Sequence, residues 1–297
     1  MMIYHSLIEP FVAYAFMRRA LVASLALAMG CGPIGVLLIL RRMSLMGDAM
    51  SHAILPGAAI AFLITGLSLT AMTIGGLAAG LCVALLAGVV SRTTQLKEDA
   101  SLAGFYLTSL ALGVLIVSAR GSNVDLLHVL FGTILAVDVP ALMLVAGISS
   151  LTLVVLALIW RPLIAECFDP GFLRAVDGGG SAYHITFLAL VVLNLVAGFQ
   201  SLGTLMAVGL MMLPAAAARL WARHVGGMML TAIVIAFFSG LAGLLASYNL
   251  STASGPSIIL TAGLAYLFSI IFGSNGGVVS RYFPKPHYHT PPKEEPV

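Results

Sequence analysis

Asp48 and His52 stand four residues apart in the segment MGDAMSHAILPG, Met46 to Gly57. On a helix that spacing stacks them on one face. A carboxylate and an imidazole together suit Mn²⁺, Zn²⁺ or Fe²⁺, and ionisable groups within apolar helices usually face a bundle interior or a water-filled path. The plainer alternative is that Asp48 favours the positive end of a helix dipole while His52 makes a local hydrogen bond. One chain supplies only two donors, whereas zinc usually takes about four. Two copies meeting at this helix would bring two Asp and two His to one axis, and a transit site must hold its ion loosely enough to release it.

A second group of residues lies in ECFDPGFLRAVDGGG, Glu166 to Gly180. Asp169 followed by Pro170 reads as a helix start, and the run from Gly178 as a stop. The short helix expected between them carries Phe168, Phe172, Leu173 and Val176, apolar groups that suit a docking surface for a soluble partner. The alternative is a helix lying on a membrane surface. Other candidates carry less. Pro214 should kink its helix, and Met206, Met211 and Met212 read as packing residues. His128, beside Asp125, suits a local hydrogen bond on the outer side. His184 and His224 read as interfacial, and His287 and His289 as weak metal binders or solvated tail residues. Cys31, Cys82 and Cys167 form no disulfide framework.

The elements that must position these groups are dictated by composition. Apolar residues make up 60% of the 297 and charged residues only 8%, with mean hydropathy +1.08. Soluble domains carry about 25% charged residues, so the chain is built for a bilayer. A net charge of +3, scattered along the sequence, gives no basis for nucleic-acid binding. The N-terminus lacks the pattern of a cleaved signal peptide and is expected to be retained.

A span needs about 20 apolar residues. Charge-free runs give one span in Ala20–Leu40, two in Ala53–Ser91 divided at Thr65–Ser68, one in Ala100–Ala119 and one in Val139–Trp160. Ile185–Ala218 gives two, divided near Gln200-Ser201, and Val225–Ser280 two more, divided at Ser247–Ser257. The fold class expected is thus all-α, a polytopic helical bundle of about nine spans, with eight to ten open. Leu126–Val137 is too short to cross alone. Small residues, as in GGLAAG and PAAAARL, suit close helix packing in lipid. The permease-like domain covers residues 1–280, with a cytoplasmic segment at about 161–183. The Pro-rich tail 281–297 is expected to be disordered. With a cytoplasmic C-terminus, eleven of the fourteen Lys and Arg fall inside, leaving Arg18, Arg19 and Arg120 outside.

No G-x-x-x-x-G-K-[ST] phosphate loop occurs, so ATP binding would need another chain. A secondary transporter should carry more intramembrane acidic groups or discontinuous half-helices; it is the competing reading. A membrane enzyme would need an acid–base or nucleophile set beyond Asp48 and His52.

The sequence resembles the metal-type permeases of bacterial ABC transporters, the zinc and manganese importers, over about residues 11–275. The resemblance rests on FMRRALVAS (Phe16–Ser24), GVLLILRRMSLMGDAMSHAILPG (Gly35–Gly57), QLKEDASLAG (Gln95–Gly104), DLLHVLFGTIL (Asp125–Leu135), CFDPGFLRAVDG (Cys167–Gly178) and LGTLMAVGLMMLPAAAARL (Leu202–Leu220). It implies an inner-membrane importer subunit, without a permanently bound cofactor, that moves Zn²⁺ or Mn²⁺, with Fe²⁺ less favoured. It implies two permease copies, two copies of a separate cytoplasmic ATPase and an extracytoplasmic metal-binding protein. Asp48 and His52 then belong to the metal path. Glu166, Phe168, Asp169, Pro170, Phe172, Arg174 and Gly178 belong to the segment that couples to the ATPase.

Overall fold

A computed structural model describes residues 9–66, 68–96, 98–119, 137–168 and 180–282. Its regular elements are all helical among those residues: α1 (Glu9–Ala13), α2 (Ala15–Leu40), α3 (Met46–Ala53), α4 (Leu55–Thr65), α5 (Leu69–Thr93), α6 (Glu98–Ala119), α7 (Val139–Leu158), α8 (Trp160–Phe168), α9 (Gly180–Leu202), α10 (Thr204–Arg219), α11 (Val225–Leu250), α12 (Ser254–Phe272) and α13 (Val278–Tyr282). The all-α bundle expected from composition is the fold observed.

Eight crossings meet the length and apolarity of a membrane span, counting α3 and α4 as one; α10 is apolar but shorter. Its 16 residues reach roughly 24 Å at 1.5 Å per residue, against a hydrocarbon core of about 30 Å. The expected count of about nine is therefore eight full-length spans plus this shorter helix. The breaks fall where turn chemistry allows. Gly66 (φ 72°) and Gly203 (φ 90°) adopt positive φ, and Ser68 caps α5 by accepting from the Ala71 amide at 3.5 Å. Ser251, at φ 52°, ends α11.

At the centre stands α2, packed against α7, α10 and α11. It is apolar around its whole circumference, as a helix enclosed by others must be. Gly35 lets α10 approach closely, because a Cβ there would collide with the Met211 carbonyl oxygen. Met206 and Met211 are buried in this contact, in keeping with a packing role, and Pro214 lies inside α10. A second group, α3 to α6, packs mainly on itself and meets the rest through α9. There Gly57 of α4 and Gly75 of α5 touch backbone to backbone, each leaving no room for a Cβ on the other. Such small-residue contacts replace the hydrophobic driving force that lipid removes. Within the first group, Asn194 of α9 donates to Thr152 Oγ1 of α7 at 2.7 Å, a buried interhelical hydrogen bond.

The segments 120–136 and 283–297 lie outside the described residues, and with them His128, the apolar stretch from Leu126, the tail and its two histidines.

Candidate functional site

The loop between α2 and α3 decides how the Asp48–His52 pair is presented. Helix α2 ends in a Schellman arrangement: the Arg42 amide donates to Ile39 O at 3.1 Å and the Met43 amide to Leu38 O at 2.9 Å. The left-handed residue this requires is usually glycine, but here it is Arg42, at φ 60°. Helix α3 begins four residues later and carries both candidate ligands within its eight residues.

Asp48 sits in the first turn of α3, where the positive end of the helix dipole favours a carboxylate. His52 follows one turn on, with Nε2 3.9 Å from Asp48 Oδ1. That separation is too long for a hydrogen bond. It is near the roughly 3–3.5 Å that two donors bound at about 2.1 Å to one ion would keep. The Asp48 side chain is 65% exposed and that of His52 31%. The imidazole lies stacked on Tyr106 of α6, ring centroids 6.3 Å apart, and its Nδ1 is buried without a hydrogen-bond partner. Gly47, next to Asp48, is covered by the end of the Met212 side chain.

The chain breaks immediately beyond His52. Ile54 separates α3 from α4, and Pro56 opens α4. Proline has no N–H, so the carbonyl of His52, four residues earlier, loses its usual helical donor. Ser109 of α6 donates to the neighbouring Ala53 carbonyl at 3.0 Å, supplying part of what the break removes. Broken backbone at membrane depth survives only with such side-chain help. Past the break, a cleft of about 770 Å³ opens between α4, α5 and α6, lined by Ile60, Ile64, Ile74, Cys82, Phe105 and Leu112 among others. The discontinuous second span was not expected from the sequence, and neither were Tyr106 and Ser109. The Pro56 spacing was the available signal for the break; two polar residues three apart in a charge-free run were the signal for the others.

The second predicted group divides. Asp169, Pro170, Phe172, Arg174 and Gly178 lie outside the described residues. Phe168 is exposed at the end of α8. Glu166 points inward. Its Oε2 is 3.0 Å from Arg41 Nη2, with both side chains almost wholly buried, and its Oε1 is 3.6 Å from His184 Nδ1. Arg41 also donates to His184 Nδ1 at 3.2 Å and to Cys167 Sγ at 3.2 Å. Its guanidinium lies 4.3 Å from the Phe187 ring centroid, within cation–π range. His184, expected at the membrane interface, is instead buried, because Arg41 and Glu166 supply polar partners inside the protein. His224 is exposed just before α11. Among the described residues, no three His, Cys, Asp or Glu side chains form a group suited to a metal ion. In the Arg41 cluster the central position is taken by a guanidinium; at Asp48 and His52 there are only two donors.

The model of the ABC 3 transport family matches residues 13–273. The chain belongs to that family. Among its relatives is the manganese transport system membrane protein MntC of Halalkalibacterium halodurans, 35% identical over 276 residues, 93% of each chain. The chelated iron transport system membrane protein YfeD of Yersinia pestis is 30% identical over 271 residues, covering 91% of this chain and 90% of that one. Among solved structures, PsaBC from Streptococcus pneumoniae in complex with Fab matches with TM-score 0.81 at 30% identity, over 93% of this chain and 98% of that one. The family resemblance seen in the sequence motifs is thus established, and with it membrane residence and the role of a metal ABC transporter permease.

Proposed function

We propose that this permease is the membrane subunit of an ATP-driven manganese importer of a bacterial inner membrane. Asp48 and His52 carry the ion, and a separate ATPase supplies the energy. The observation that carries the reading is the Asp48–His52 pair: two donors on one helix face, 3.9 Å apart, at a break in the span and accessible from outside the chain. The names of the relatives favour manganese, with ferrous iron as second substrate; zinc, which the donor set also suits, ranks behind both.

The transported ion is substrate, held transiently. One chain leaves its shell incomplete, so a second copy completes it with its own Asp48 and His52. The apolar cleft beyond Pro56 adjoins the pair and supports placing that second copy there. The absence of a phosphate loop from the sequence supports hydrolysis by two copies of a partner ATPase. Phe168, Asp169, Pro170, Phe172, Arg174 and Gly178 form the docking segment within 161–183. An extracytoplasmic metal-binding protein delivers the ion.

The test is uptake of radioactive manganese by proteoliposomes holding the permease, its ATPase and the delivery protein. ATP-dependent uptake, with Fe²⁺ competing better than Zn²⁺, is the expected result. Uptake by the permease alone, driven by an ion gradient without ATP, would establish a secondary transporter instead.

A further inference from the structure

Arg41 and Asp48 lie on either side of one short turn, and each is tied to a different part of the molecule. Arg41 is gripped from two directions. Glu166 and Cys167 reach it from the end of α8, and His184 and Phe187 from the start of α9. Residues 169–179, where the sequence places the ATPase-docking segment, run between those two helices. Both ends of that segment are therefore fastened to one guanidinium.

From Arg41 the chain leads without slack to the ligand pair. Arg42 is held at φ 60° by the two Schellman hydrogen bonds, and the Met46 amide donates to Met43 O at 3.0 Å. Helix α3 then carries Asp48 and His52 as far as the break at Ile54. A left-handed conformation costs a non-glycine residue about 1–2 kcal/mol, and such outliers persist where the surroundings over-determine them. A planar, bidentate-capable arginine is also the residue that fixes direction best, since lysine offers a point charge on a flexible stem.

We propose that Arg41, with Glu166 and His184, is a positioning cluster that transmits movement of the ATPase-docking segment to the Asp48–His52 helix. Displacing α8 and the start of α9 carries Arg41 with them, and the turn at Arg42 passes the shift to α3. The cluster touches no metal and acts only through α3. The proposal deepens the importer reading and rests on it. It also changes the part assigned to Glu166, which works from within the protein rather than on the docking surface.

The experiment uses the complete transporter in proteoliposomes and measures ATP hydrolysed per manganese ion moved, together with manganese affinity. The first variant is the double substitution Arg41→Met with Glu166→Leu, which removes both charges and keeps apolar volume. Replacing a buried ion pair in this way is often neutral for stability. The second is Arg41→Lys, which keeps the charge and loses the fork. The expected result is a rise in ATP consumed per ion of about tenfold for the double variant and about threefold for Arg41→Lys, with manganese affinity within twofold. A wild-type ratio in either assembled variant would overturn the proposal, as would proportional loss of hydrolysis and uptake. If the double variant does not assemble, Arg41→Lys decides alone. Failure of the importer reading is separately visible, as absence of ATP-dependent uptake by the unsubstituted transporter.

Discussion

The molecule holds two polar clusters on either side of the turn at residues 41–45, and they are built in opposite ways. Around Arg41 the charges are buried and satisfied: carboxylate, imidazole, thiol and aromatic face each meet the guanidinium. Around Asp48 the groups are half-exposed and unsatisfied, with a 3.9 Å gap between partners and a buried imidazole nitrogen lacking any. A buried charge must be paired, or its desolvation cost goes uncompensated. A site meant to take and release an ion must leave its donors uncommitted. The contrast assigns structure and positioning to the first cluster and ligand handling to the second.

The largest effect should come from His52. Replacing it with Ala is expected to weaken manganese binding by well over the roughly 10–100-fold that loss of an outer-shell partner costs, measured by titration of the assembled transporter. Its melting temperature should stay unchanged, because the ring is partly exposed and makes no hydrogen bond through Nδ1. Unchanged binding would remove the ligand role. Arg41→Ala should do the reverse to stability. Leaving Glu166 buried without its partner costs about 3–5 kcal/mol, readable as a lowered unfolding midpoint in detergent, whereas a shift no larger than that of His52→Ala would erase the contrast.

Tyr106→Ala should fall between. Aromatic stacking contributes about 0.5–1.5 kcal/mol, so losing it should raise the apparent KM for manganese about 2–10-fold with little change in the amount of assembled protein. The smallest effect should be a gain. Arg42→Gly relieves a left-handed conformation and should stabilise the protein by about 1 kcal/mol, seen in the same unfolding assay. A destabilisation there would mean that the Arg42 side chain makes contacts of its own.

The sequence told these two clusters apart unevenly, for a physical reason. Asp48 and His52 share one helix face four residues apart, so local periodicity alone brings them together. Glu166 and His184 lie 125 and 143 residues from Arg41, and only tertiary packing joins them, so Glu166 was grouped with its sequence neighbours and His184 was placed at the interface. The bundle itself was legible because charge-free runs of span length have few alternatives in a bilayer. The span breaks were legible where glycine or a polar run marked them, at Gly66, Gly203 and Ser251. The break at Ile54 was missed because the run stays apolar through it, and only Pro56 marks it. Tyr106 was missed because nothing along its own helix distinguishes it; its role comes from the ring of His52 lying against it.

The central claim is that this permease moves manganese through its Asp48–His52 pair in a path shared by two copies. The most direct measurement is the stoichiometry and affinity of Mn²⁺ binding to the purified transporter, with and without the His52→Ala substitution. The account predicts one tightly held ion per two permease chains in the native protein and none in the variant. One ion per chain, or an ion retained when His52 is gone, would contradict it.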